Sequence, residues 1–86
     1  MKHETVKKVI EYNDQLNGSE NLIKILNGNF NIELKVNSIE NGSIGYSTAN
    51  IAHDNRYEDI KNDLINFLKV KSREYSDKYK QEIEKL

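Results

Sequence analysis

Phe30-Asn31-Ile32-Glu33-Leu34-Lys35-Val36-Asn37-Ser38-Ile39-Glu40-Asn41-Gly42-Ser43-Ile44-Gly45-Tyr46-Ser47-Thr48-Ala49-Asn50-Ile51 is the stretch on which the reading of the fold turns. From Phe30 to Val36, apolar and polar residues alternate without interruption, the period of a strand with one face toward a core. Asn41-Gly42 is the strongest short-range hairpin signal, because a type I′ turn needs positive φ at both central residues and Asn and Gly reach it most easily. Taking those two residues as the loop predicts strands over about 30–38 and 43–52. It also predicts a register: Ile39 opposite Ile44, Asn37 opposite Tyr46, Lys35 opposite Thr48, Leu34 opposite Ala49 and Ile32 opposite Ile51. That register gathers Phe30, Ile32, Leu34, Val36, Ala49 and Ile51 on one face, and Glu33, Lys35, Asn37, Tyr46, Thr48 and Asn50 on the other.

Upstream, the pattern over about 4–27 is helical. Val9, Tyr12, Leu16, Ile23 and Leu26 share a stripe whose gap is filled by Ser19, and Val6, Ile10, Leu22 and Ile25 widen it. Gly18 interrupts this pattern at a cost of about 1 kcal/mol against Ala. The alternative is two helices broken at Asn17-Gly18 with Ser19 capping the second. The stripe keeps its phase across Gly18, so one helix is expected, stopped by Asn27-Gly28.

Downstream, a helix is expected over about 55–85. Either Asp54 or Asn55 can cap it, and Asn55 with Glu58 has capping-box spacing. Tyr57, Ile60, Leu64, Leu68, Tyr75, Tyr79, Ile83 and Leu86 recur every three or four residues along it. The expected architecture is therefore α+β, helix–β-hairpin–helix, in a single domain spanning residues 1–86. At 1.5 Å per residue the first helix would be about 36 Å long and the second about 48 Å. Tyr75, Tyr79, Ile83 and Leu86 would then overhang the first helix with no intrachain cover. A two-stranded sheet is also marginal in water. A homodimer is expected, joined through that C-terminal stripe or by edge pairing of hairpins.

The 36% hydrophobic and 31% charged content is apolar-poor for so short a chain, which adds to the case for self-association. The absence of cysteine removes disulfides, thiolate zinc sites and cysteine nucleophiles, and suits a reducing cytoplasm, the expected location. Met1-Lys2-His3-Glu4-Thr5 leads into an amphipathic pattern, so no signal peptide is expected, nor any membrane span. A formal net charge of −1 disfavours general nucleic-acid binding. Lys, Ile and Asn usage of this kind accompanies AT-rich coding sequence, which fits an accessory protein of a phage or mobile element.

Catalytic signals are scarce. His3 lies near the N-terminus, and His53 and Asp54 are adjacent on a strand, so their side chains diverge. His53 is expected to pack over Phe30 or help cap the helix. No phosphate-binding glycine loop, nucleophile elbow or H-E-x-x-H occurs. We expect no enzyme, metal or cofactor.

Two surface regions remain. The hairpin tip pairs Ile39 with Ile44 beside Tyr46, flanked by Lys35 and Thr48. Small exposed apolar patches among polar neighbours mark contact sites, although a cross-strand pair can also serve only to stabilise a turn. Second, Asn50, His53, Arg56 and Tyr57 lie at a helix N-terminus, which favours anions, unless Asp54 neutralises Arg56 and occupies the anion position itself. The leading expectation is a non-enzymatic binding protein that occupies a macromolecular partner through its hairpin, such as a phage inhibitor of a host or defence protein. A nucleotide-sequestering protein using the second region is the alternative. A DNA-binding regulator or antitoxin using Lys69, Lys71 and Arg73 is a third, weakened because those side chains spread around a helix.

Overall fold

The computed structural model describes residues 2–86. In order these form helix α1 (His3–Asn27), strand β1 (Lys35–Glu40), strand β2 (Ser43–Asn50), a short 3-10 turn (Asn55–Tyr57) and helix α2 (Glu58–Glu84). This is the expected helix–hairpin–helix of the α+β class. The chain divides into two compact units, each described on its own: a helical unit of residues 2–29 with Phe67–Leu86, and a hairpin unit of Phe30–Asn66.

In the helical unit, α1 runs unbroken through Gly18. Its least exposed residues are Thr5, Val9, Tyr12, Leu16, Ser19, Ile23 and Leu26, at spacings that alternate between four and three. That spacing keeps one stripe on one face, which is why a single Gly does not split the helix. Ser19 donates its hydroxyl to the Gln15 carbonyl at 3.1 Å, so its polar group is satisfied within its own helix. Leu22 is half-buried, whereas Val6, Ile10 and Ile25 are exposed. The helix stops at Gly28, whose N–H donates to the Ile25 carbonyl at 3.1 Å. Gly28 is extended there (φ −103°, ψ −157°) and not left-handed, so the stop does not exploit glycine's positive φ.

On α2 the buried residues are Ser72 and Ser76. The Ser72 hydroxyl donates to the Lys69 carbonyl at 3.1 Å, which lets a polar side chain occupy a covered position at little cost. Small residues there allow α1 and α2 to approach closely. The two helices are tied by the Tyr12 and Tyr79 rings, 6.1 Å apart between centroids, and by a 3.5 Å Lys80–Glu20 ion pair. With 25 residues in α1 and 27 in α2, the helices are nearly equal, about 38 and 40 Å long. The expected overhang of α2 is therefore a misreading: its first turn begins at Glu58, and Tyr79 has Tyr12 as a partner in the same chain.

In the hairpin unit, Asn41 (φ 52°) and Gly42 (φ 80°) form the left-handed pair that a type I′ turn requires. Ile39 faces Ile44 and Glu40 faces Ser43, as expected from that turn. Beyond Ser38 the register differs from expectation. Asn37 faces Thr48, Val36 faces Ala49 and Lys35 faces Asn50. Gly45, Tyr46 and Ser47 together stand opposite Ser38, a bulge that slides the pairing by two residues. A slip of two preserves the alternation of faces, whereas a slip of one would have inverted it. Two local features explain the slide. The Ser47 N–H donates to Ser38 Oγ at 3.3 Å, and the Thr48 hydroxyl donates to Asn37 Oδ1 at 2.9 Å. Gly45 also leaves room where a Cβ would come within 2.8 Å of Glu40 Cδ.

β1 starts at Lys35 and not near Phe30. The chain turns after Asn50, so β2 supplies no partner for residues 30–33. Pairing continues only as far as the Ile51 N–H to Leu34 carbonyl bond of 3.1 Å. The expected apolar face is only partly covered. Ile51 is buried and Phe30, Ile32 and Ala49 are half-buried, but Leu34 and Val36 are exposed, Val36 by 55%. Next to Ile51, Ala52 is also buried.

Candidate functional site

The hairpin tip is built by the turn and the bulge together. The Asn41-Gly42 turn sets Ile39 against Ile44, and the bulge pushes out Gly45, Tyr46 and Ser47. Ile39 is 68% exposed, Ile44 71% and Tyr46 99%. Strand alternation puts Tyr46 on the side of Ile44 and Thr48, with Ile39, Asn37 and Lys35 across from them. Lys35 and Thr48 are exposed on that side, and the Thr48 hydroxyl is held by Asn37. Two isoleucines and a tyrosine, largely in water at the end of a hairpin, form an apolar knob with a polar surround. Burying such side chains in a partner is favourable at about 25 cal/mol per Å² of apolar surface.

The second region does not assemble as an anion site. Asp54 caps the 3-10 turn that leads into α2, accepting from the Arg56 N–H at 3.0 Å, while the Tyr57 N–H donates to the Asp54 carbonyl at 3.0 Å. The expected Asn55–Glu58 capping box is replaced by this arrangement, with Asn55 inside the turn. The Asp54 carboxylate also holds the Arg56 guanidinium, with Nη2 at 2.7 Å from Oδ2 and Nε at 3.1 Å from both oxygens. Hydrogen bonding from the Arg56 side chain, and then its backbone N–H, holds the Asp54 carboxyl below the usual carboxylate value, and Asp54 in return raises Arg56. The Arg56 guanidinium lies 5.6 Å from the Tyr57 ring centroid. The cation expected to meet a nucleotide is thus already matched, and a carboxylate sits at the helix N-terminus where a phosphate would go. Asn50 and His53 line a shallow depression with Glu33, Leu34 and Lys35, and neither Arg56 nor Tyr57 belongs to it. His53 is exposed.

Of the C-terminal stripe, Tyr79 and Ile83 are half-buried, and Tyr75 and Leu86 are each 45% exposed. The Tyr75 and Tyr79 rings stack at 6.2 Å, with the Lys78 ammonium 5.5 and 5.8 Å from their centroids. Of the basic trio, Lys71 pairs with Glu74 at 2.9 Å, and that hydrogen bond raises its pKa.

One feature carries no apolar signature in the sequence. A groove of about 530 Å³ runs along the helical unit, lined by Gly18, Ser19 and Leu22 of α1 and by Leu68, Ser72 and Tyr75 of α2, among others. A Cβ at Gly18 would meet nothing within 4 Å. The signal for the groove is the run of small residues at stripe positions, Gly18-Ser19 and Ser72 with Ser76, which a search for apolar periodicity passes over.

Among the described residues, no group of three His, Asp or Glu side chains is placed to hold a metal ion, and no helix is long and apolar enough to cross a membrane. No protein-family model matches the chain, and no curated protein or solved structure resembles it significantly.

Proposed function

We propose that this chain is a non-enzymatic binding protein that acts in the cytoplasm by occupying a protein partner through its hairpin tip, and that it works as a homodimer. The observation that carries the reading is the joint exposure of Ile39, Ile44 and Tyr46 on one end of the hairpin. A short, lysine- and asparagine-rich chain of this design suits a phage or mobile-element inhibitor that blocks a surface of a host or defence protein. Lys35 and Thr48 would sit at the polar edge of the contact, and the isoleucines and tyrosine at its centre. Central apolar and aromatic residues carry most of the energy of such contacts.

The test is capture of the partner from host lysate with the parent and with Ile44→Asp. Loss of a central anchor should weaken binding by about 2 kcal/mol or more, roughly 30-fold, with helical circular dichroism unchanged. A folded Ile44→Asp variant that binds as well as the parent would sink the tip reading. Nucleotide sequestration receives no support from the arrangement of Asp54 and Arg56. A melting temperature that rises with nucleotide concentration would revive it.

A further inference from the structure

The helical unit has too little core for a stable pair of helices. Among its described residues only Leu26, Ser72 and Ser76 are buried, and no large side chain among the described residues falls below 2% exposure. Helices of this length draw most of their stability from packing of an apolar face, and two serines and one leucine supply little of it. The chain exposes 7017 Å², against about 5,200 Å² expected for a folded monomer of 10.0 kDa. The excess is about 1,800 Å² per chain. Two copies covering it would bury about 3,600 Å² in total, inside the range of obligate homodimers and well above that of transient contacts.

We propose that the groove along α1 and α2 is the self-association surface of this chain, filled by a helix of a second copy. This deepens the homodimer reading above and rests on it, but moves the interface from the C-terminal stripe to the groove. Three features fit that occupant. The floor is made of Gly18, Ser19 and Ser72, with open space above Gly18, so a helix can approach closely. Leu22, Leu68 and Tyr75 offer apolar walls on both sides of that floor. The groove also carries one acid, Asp14, and one base, Lys71, so two copies meeting through the same face can set opposite charges together. A second copy is also the one partner present in fixed proportion whenever the chain is made, which suits a contact that folding itself requires.

The test uses the full chain, whose lack of cysteine permits single-thiol probes. Light scattering on the parent should give the mass of a dimer. Leu22→Cys should alkylate about ten-fold more slowly, or slower still, in concentrated than in dilute solution, while Leu86→Cys reacts alike in both. Gly18→Lys, which improves helix propensity but sets a charge on the floor, should shift the protein toward monomer. Where that variant also loses helicity, the concentration dependence of the Leu22→Cys thiol stands as the deciding measurement. A parent that stays monomeric up to about 100 µM overturns both the homodimer and the groove. A dimer in which Leu22→Cys stays reactive, or Leu86→Cys is the protected thiol, overturns the groove and leaves the homodimer. Protection of Leu22→Cys that appears only in lysate assigns the groove to a foreign helix and overturns the second copy as occupant.

Discussion

Gly18 and Asp54 show how single residues are used. Gly18 lies inside a continuous helix with nothing near its missing Cβ, so its absence of side chain is not needed for packing within the chain. Gly18→Ala should therefore raise helix stability by about 1 kcal/mol, read as a higher denaturant midpoint in dilute solution. Asp54 does two jobs, capping the turn into α2 and fixing Arg56. Its pKa is lowered in the folded protein, so its contribution is present above the ordinary value of 3.8 and is lost as pH falls below that value through the folded one. Asp54→Asn keeps the capping acceptor but loses the charge. It should melt below the parent at pH 7, and the two melting temperatures should converge as pH falls from about 4 to 2. A gap that persists unchanged at the acid end would remove the ionic part of this account.

At the level of elements, hairpin and helix pair depend on small residues in different ways. In the hairpin, Gly42 has φ 80° and Gly45 faces the Glu40 side chain closely. Gly45→Val should disturb the bulge, weakening the Asn37–Thr48 contact while leaving the Ile39–Ile44 pair at the turn, a difference visible as lost cross-strand nuclear Overhauser effects on one side of Ser38 only. In the helix pair, Ser72 is buried and bonded to its own helix. Ser72→Ala should be nearly neutral, since no partner on α1 is lost. Ser72→Leu should force α1 and α2 apart at a cost of about 1–3 kcal/mol, measured by chemical denaturation. The contrast between these two substitutions separates a packing role for position 72 from a hydrogen-bonding one.

For the molecule as a whole, the small core makes stability a matter of concentration. If a second copy supplies the missing cover, the melting temperature of the parent should rise as the protein is concentrated, and the rise should vanish in Gly18→Lys. The hairpin tip is an independent region of the sequence. Ile44→Asp should leave that concentration dependence intact while abolishing partner capture, so the two activities can be separated in one set of variants.

Local chemistry is legible in the amino-acid sequence alone. The order of elements, the continuous first helix, the Asn41-Gly42 turn, the Ile39–Ile44 pair and the knob with Tyr46 all follow from short-range rules of period, propensity and turn geometry. Those rules do not reach what is set by contacts between distant residues. The bulge at Gly45 depends on side-chain hydrogen bonds across the sheet, and a two-residue slide keeps the same alternation, so the pattern of faces does not detect it. The exposure of Leu34 and Val36 depends on what covers a face, which alternation does not specify. The choice of Asp54 over Asn55 as cap turned on which side chain could also hold Arg56. The groove arose because two helices met over Gly18, Ser19 and Ser72, residues that carry no apolar signal and become important only when another helix lies against them.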